Sequence, residues 1–288
     1  MVIRRTPVAV AAAFTLLATA AACAPQDSDE PAAGASAGAC VKDSLSTVTA
    51  GKLTIATDEP AYEPWFADND PANGKGFESA VAYAIAAELG YDNADVVWTR
   101  VKFDNAIAPG EKTFDFDINQ FSITDQRKQA VDFSSPYYQV RQTVIALKSS
   151  KIAGATSLAD LAGAKLGAQV GTTSYKAITD VIKPSAEPLV YNSNDDAKKA
   201  LQNGQIDGLV VDLPTAFYIT AAELEDGVIV GQVPQVGDDA EQFGLVLDKG
   251  SALTGCVSGA VDALRTDGTL GELETEWLAD VAGARELS

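Results

Sequence analysis

Residues 114–138 read FDFDINQFSITDQRKQAVDFSSPYY. The first seven predict a strand, with Asp117 one strand period before Asn119 on the same face. Residues 125–131 predict a helix, for which Thr124 supplies an N-cap oxygen. Asn119 and Gln120 thus put two amides at the mouth of a strand, and Ser122 adds a hydroxyl beside the helix start, where free N–H groups favour an anion. Arg127, in the first turn, carries a planar fork that matches a carboxylate bidentately.

The alternation continues in both directions. Upstream, residues 52–56 predict a strand, and Phe77, Val81, Ile85 and Leu89 recur every four residues along a helix face that Gly90 closes. A strand at 96–99 follows, then a helical turn at 103–108 stopped by Pro109 and Gly110. Downstream, residues 140–147 read as extended. A second series then runs strand 165–170, helix 174–183, strand 189–191, helix 195–203, strand 206–211 and helix 214–224, the last with Pro214 in its first turn. Residues 243–247 return to strand, and helices near 251–266 and 269–280 complete the series. This order specifies α/β sheets flanked by helices, and two series of about 100 residues each imply two lobes.

The 288-residue chain is 47% hydrophobic and 21% charged, the balance of a globular protein. No apolar run reaches the roughly 20 residues of a membrane-spanning helix. Forty acidic against 21 basic residues leave a net charge of −19, which repels phosphate backbones and argues against nucleic acid as a partner. Histidine is absent, which excludes Ser-His-Asp and Cys-His catalysis and every His-ligated metal site. No metal and no cofactor are expected.

Residues 1–22 have the form of a signal peptide: Arg4 and Arg5, then an apolar stretch over 8–22 that ends in small residues. Cys23 follows directly and resembles the lipidated cysteine of a bacterial lipoprotein. Ala20 stands where that pattern prefers Leu, and Ala20, Ala21 and Ala22 also satisfy an ordinary A-x-A cleavage, so secretion without a lipid is the alternative. Residues 24–39 contain nothing able to form a core, and 23–44 read as a lipidated cysteine with a disordered tether. Of three cysteines this leaves Cys40 and Cys256, either a disulfide in an exported setting or two buried thiols.

Six further motifs, together with the Ser122–Tyr138 part of the stretch above, occur in an order that resembles one family. Residues 51–58 (GKLTIATD) with Tyr62 and the Pro64-Trp65-Phe66 run come first, then Gly76-Phe77-Glu78, residues 103–109 (FDNAIAP) and the stretch from Ser122 to Tyr138. Residues 157–163 (SLADLAG), 170–173 (VGTT) and 206–212 (IDGLVVD) follow. Together they resemble the polar amino-acid-binding proteins of ABC importers, solute-binding protein family 3, over residues 51–281. The resemblance implies a two-lobe periplasmic-binding-protein-like α/β fold of type II. Lobe 1 would comprise 45–140 plus 242–288 and lobe 2 146–236, with hinge crossovers at 140–147 and 232–242.

The function it implies is that of an extracytoplasmic binding component, anchored by lipid to the outer face of the cell membrane. It would capture a small polar amino acid between its lobes as a monomer and deliver it to permease subunits of an ABC transporter. An amino acid presents a carboxylate and an ammonium one carbon apart, so its site needs a cation and an anion at fixed separation. Arg127, Ser122, Thr172 and Thr173 would take the carboxylate and Asp212 the ammonium. Tyr62, Phe103 and Trp65 would flank the side chain, with Asp58, Asn119 and Gln120 as polar contacts. Read without the family, Arg127 is a solvated helix residue paired to Asp125 or Asp132, Thr172, Thr173 and Asp212 are helix caps, and the aromatics are core. An enzyme resembling the cyclohexadienyl dehydratases of the same fold is the competing function, although nothing in the sequence singles out an acid or base. The protein is therefore expected to be a binding protein and no enzyme.

Overall fold

The computed structural model describes Val2 and residues 40–235, 240–278 and 284–288. The expected signal peptide (Val2 apart), Cys23 and residues 24–39 lie outside the described residues, as do 236–239 of the second expected crossover.

Among the described residues, two five-stranded sheets carry the fold. In the first, the fully buried β1 (Leu53–Thr57) pairs in parallel with β2 (Val96–Arg100) and β3 (Phe116–Asp117). Beyond β3 come β12 (Val246–Leu247), antiparallel to both its neighbours, and then β4 (Asp132–Phe133). Helix α1 (Phe77–Glu88) buries the predicted stripe of Phe77, Val81 and Ile85 completely, and α7 (Thr254–Thr266) and α8 (Thr269–Leu278) pack beside it. Gly76 starts α1 at φ +93°, and a Cβ there would lie 2.5 Å from the Trp65 carbonyl oxygen, so only glycine fits this entry.

The second sheet has the order β10 (Gly227–Gln232), β6 (Gln142–Leu147), β9 (Gly208–Asp212), β7 (Leu166–Gln169), β8 (Leu189–Tyr191). β7 runs parallel to β8 and β9, whereas β6 is antiparallel to β9 and β10. Helices α4 (Thr173–Lys176), α5 (Asn194–Gln202) and α6 (Leu213–Tyr218) belong to this half. The helices expected at 174–183 and 214–224 are composite: α4 and α6 run on into π-helical segments, Ala177–Ile182 and Ile219–Glu223. Short α2 (Phe103–Ala106) and α3 (Asp125–Lys128) complete the first half. Between the halves, β5 (Tyr138–Gln139) and β11 (Gln242–Phe243) form an antiparallel ribbon.

Three segments depart from expectation. Residues 142–147, expected as part of a crossover, run inside the second sheet as β6, with Val144 and Ile145 fully buried. Residues 243–247 are broken into β11 and β12 at Gly244, where a Cβ would come within 2.8 Å of the Ile123 side chain. Residues 284–288, expected with lobe 1, pack on lobe 2. Leu287 is fully buried in the core cluster of Val230 and Val233, and its N–H donates to the Gln232 carbonyl at 2.9 Å. Gly231 makes room for it, since a Cβ there would sit 2.8 Å from Leu287 Cγ. Cys40 and Cys256 are bonded, with Cα atoms 5.2 Å apart, and tie the segment before β1 to α7.

Candidate ligand-binding site

Strand ends from both sheets meet at one small, largely polar cavity. Lobe 1 lines it with Asp58, just past β1, with Tyr62, Phe103 and Arg127, and with Asn119 and Gln120, just past β3. Lobe 2 contributes Gln169 at the end of β7, Thr172, Thr173, Ser174, Asn194, and Val211 and Asp212 at the end of β9. Carboxyl ends of strands are where open α/β sheets place ligands, because helix starts and loops converge there.

Arg127 is buried on α3. Its Nη1 donates to the Ser122 carbonyl at 2.7 Å and its Nη2 to the Gly171 carbonyl of lobe 2 at 2.9 Å. The guanidinium lies 5.2 Å from the centre of the Phe103 ring, which stacks on Phe121 at 4.8 Å. Burial brings the guanidinium down to about 10, against the opposing pull of Glu241 and Asp212, so it remains a cation at neutral pH. Asp125 pairs instead with Lys128 and Asp132 with Lys249, so the solvated reading of Arg127 does not hold. Among the described residues no carboxylate stands within ion-pairing distance of Arg127, and its remaining N–H donors suit an anion.

Asp212 faces Arg127 from lobe 2. It makes no side-chain cap to α6; its Oδ1 accepts from Gln142 Nε2 at 2.8 Å. Its carboxylate is part-exposed onto the cavity yet surrounded by protein, and burial, then Glu241, pushes it up to about 8. Thr172 does cap α4, accepting from the Tyr175 N–H at 3.2 Å, while also lining the cavity. Asp58 accepts from the N–H groups of Glu59 (2.6 Å) and Phe103 (3.2 Å), and burial raises its carboxyl above the ordinary range.

Two expected contacts do not line the cavity. Trp65 is fully buried in the lobe 1 core, edge-on to Phe77, Tyr138 and Phe243, and its indole N–H donates to Thr215 Oγ1 of lobe 2 at 2.8 Å. A large ring with a satisfied N–H is a core solution, here one that spans the lobes. Ser122 turns its hydroxyl behind the cavity, to Glu241 Oε1 (2.6 Å) and Thr173 Oγ1 (3.0 Å). Gln120 adopts φ +48°, and its backbone N–H and side-chain amide both donate to the buried Glu78, which also accepts from the Tyr137 hydroxyl. Asp117, fully buried beside this group, has no hydrogen-bond partner among the described residues. Burial, with Glu78 and Asp58 nearby, raises it well above the carboxylate range.

Gln142, Gln169, Ser174, Asn194 and Glu241 were not anticipated. Gln169 ends a strand just before the Val170-Gly171-Thr172 turn, and that position could have identified it. Gln142 and Glu241 carry no such signal, since they sit where polar side chains are usually solvated.

Two lobes with convergent strand ends, a cation from one and a carboxylate from the other, define a hinge-type binding protein for a small charged solute. Residues 53–280 match the bacterial extracellular solute-binding proteins, family 3, and the chain belongs to that family. It is 28% identical to the L-arginine-binding protein of Pseudomonas aeruginosa, over 84% of this chain and 94% of that protein. It is 29% identical to the ABC transporter glutamine-binding protein GlnH of Bacillus subtilis, over 75% and 77%. Among solved structures it resembles the ancestral amino acid-binding protein AncCDT-1, a precursor of cyclohexadienyl dehydratase. The TM-score is 0.63 at 30% identity, over 78% of this chain and 94% of that one.

Proposed function

We propose that this protein captures a free polar amino acid outside the cytoplasm and delivers it to the permease of an ABC importer. The observation that carries this reading is the presentation of Arg127 and Asp212 to one cavity from opposite lobes. A carboxylate on Arg127 and an ammonium on Asp212 would give each anchor its counter-charge, the ammonium drawing Asp212 into its ionised form. The relatives named for arginine and glutamine support the same ligand class. The charged groups lining the cavity are Asp58, Arg127 and Asp212, so an acidic side chain would meet Asp58 without a second cation. The ligand side chain is therefore neutral or cationic, lying between Tyr62 and Phe103. Cys23 is the proposed lipid attachment, and the protein acts as a monomer in this reading.

A thermal-shift screen against the proteinogenic amino acids, cystine and small polyamines tests the reading. A specific ligand at 100 times its Kd should stabilise the protein by about 2.7 kcal/mol. No shift with any amino acid would remove it, and conversion of prephenate or arogenate to phenylpyruvate or phenylalanine would put a dehydratase in its place. Mass spectrometry of the membrane-extracted protein tests the acyl chain on Cys23.

A further inference from the structure

We infer that Glu241, on the second crossover, is a positioning residue of the ligand site, holding Gln142 and Ser122 so that lobe closure and the aim of Asp212 are set together. This rests on the amino-acid reading of the cavity.

Glu241 lies behind the cavity and does not line it. The Gln142 amide is its link to the site. Gln142 Nε2 donates to Asp212 Oδ1 at 2.8 Å and reaches both Glu241 oxygens at 3.2 Å, while its Oε1 accepts from Ser174 Oγ at 2.6 Å. Turning the amide over would set its oxygen against both Glu241 oxygens, whereas the Ser174 hydroxyl could serve either way, so Glu241 fixes its orientation. Fixed in this way, it occupies Asp212 Oδ1 and leaves Oδ2 to an incoming ammonium. On its other side Glu241 Oε1 accepts from Ser122 Oγ at 2.6 Å, and that hydroxyl lies 3.0 Å from Thr173 Oγ1 of lobe 2. One crossover carboxylate therefore joins the Ser122 loop of lobe 1, the start of β6, and through them α4 and the end of β9. The Ser122–Thr173 contact joins the two lobes directly.

The charges agree with this role. Glu241 faces Arg127 on α3 and Asp212 at the end of β9, and it shares a neighbouring cavity with Arg141, Lys176 and Asp180. Two carboxylates on one amide repel: Glu241 stands second only to burial in raising Asp212, Glu78 on α1 adds to it, and Gln142 and Arg127 oppose it. Glu78 is the same in wild type and in Glu241→Gln, so the difference between them reports Glu241. An arriving ammonium relieves that repulsion. Asp212 must be ionised to hold it, so affinity rises with pH up to about 8 in the wild type.

The experiment is isothermal titration of the full-length protein from pH 6 to 9, the best binder among the proteinogenic L-amino acids serving as probe. Glu241→Gln keeps an acceptor and loses the charge. It should bind within threefold of wild type at pH 9 and tighter than wild type, by threefold or more, at pH 6, as the acid limb moves down. Glu241→Ala loses both bonds and should bind about tenfold more weakly at pH 9. A Glu241→Gln curve that superimposes on wild type, or one lowered by the same factor at every pH, overturns the inference while leaving the amino-acid reading intact. A wild type that binds no amino acid overturns that reading and the inference with it.

Discussion

Arg127 can be buried without a carboxylate partner because its fork rests on the carbonyls of Ser122 and Gly171 and its face on Phe103. Those contacts orient the cation but do not neutralise it, so a bound carboxylate gains its full attraction. Arg127→Ala should weaken amino-acid binding by about 3–5 kcal/mol by isothermal titration, since the ligand carboxylate is then buried unpaired. Arg127→Lys should not restore it, because an ammonium cannot span both carbonyls and the ligand. Wild-type affinity in Arg127→Ala would place the carboxylate elsewhere. Glu78 is the opposite case, a buried acid with only neutral donors around it, and burial pushes it up to about 7. Its folded pKa lies above the unfolded value, so between about pH 4.5 and 7 the native state holds the extra proton. Stability therefore falls as pH rises through that window, with a full cost of about 3 kcal/mol above it. Urea unfolding at pH 5 and 8 should show a smaller loss in Glu78→Gln than in wild type. Asp117, shifted the same way, should leave a residual slope, and equal losses would mean Glu78 does not titrate in this range.

At the scale of elements, residues 284–288 form a third link from lobe 1 to lobe 2, beside the two crossovers. Leu287 fills the space above Gly231, and Arg285, Leu287 and Ser288 exchange backbone hydrogen bonds with Gln232, Thr156 and Leu158. Arg141 and Glu286 add an ion pair of 2.6 Å at the first crossover, exposed enough to contribute little. Leu287→Ala should cost about 2–4 kcal/mol in urea unfolding and Leu287→Asp more, because each opens the same closed pocket. A cost below about 0.5 kcal/mol would mean the link is not held by packing. This link could not be read from sequence, since one leucine among charged residues has no periodicity. α1 could, because four apolar residues at helical spacing leave one face to bury. Arg127 and Asp212 were legible as candidate site residues only through the family resemblance, because a helix start and a strand end by themselves read equally as a solvated ion pair and a helix cap. Trp65 was not separable from the pocket aromatics, because a ring that fills a core and one that flanks a ligand look alike in a loop. Asn194, Gln142 and Glu241 are polar side chains that only the three-dimensional meeting of two lobes and two crossovers turns inward.

For the whole molecule, the disulfide and the closure contacts act at different levels. Cys40–Cys256 closes a loop of 216 residues within the frame of lobe 1, worth about 5 kcal/mol at most by the chain-entropy account. Thiol titration of the unfolded, non-reduced mature protein should find neither cysteine reactive, and two reactive thiols would show that the bond does not form. Closure depends on contacts that cross the cleft: Trp65 to Thr215, Arg127 to Gly171, Ser122 to Thr173, and Lys176 to Gln126 at 2.8 Å. With these available, the ligand need only tip a balance, and it can do so only through interactions absent from the open state. A carboxylate held by Arg127 alone meets that condition weakly. An ammonium held by Asp212 meets it fully, because the two anchors belong to different lobes. Small-angle scattering should therefore show the radius of gyration falling when the best-binding amino acid is added to wild type at pH 8.5. Asp212→Asn should bind more weakly and, even with its site saturated, compact less. Lowering the pH to 6 should raise the ligand concentration at which wild type compacts, because protonated Asp212 must first give up its proton. Full compaction of Asp212→Asn at wild-type ligand concentration would assign closure to Arg127 and the direct lobe contacts alone.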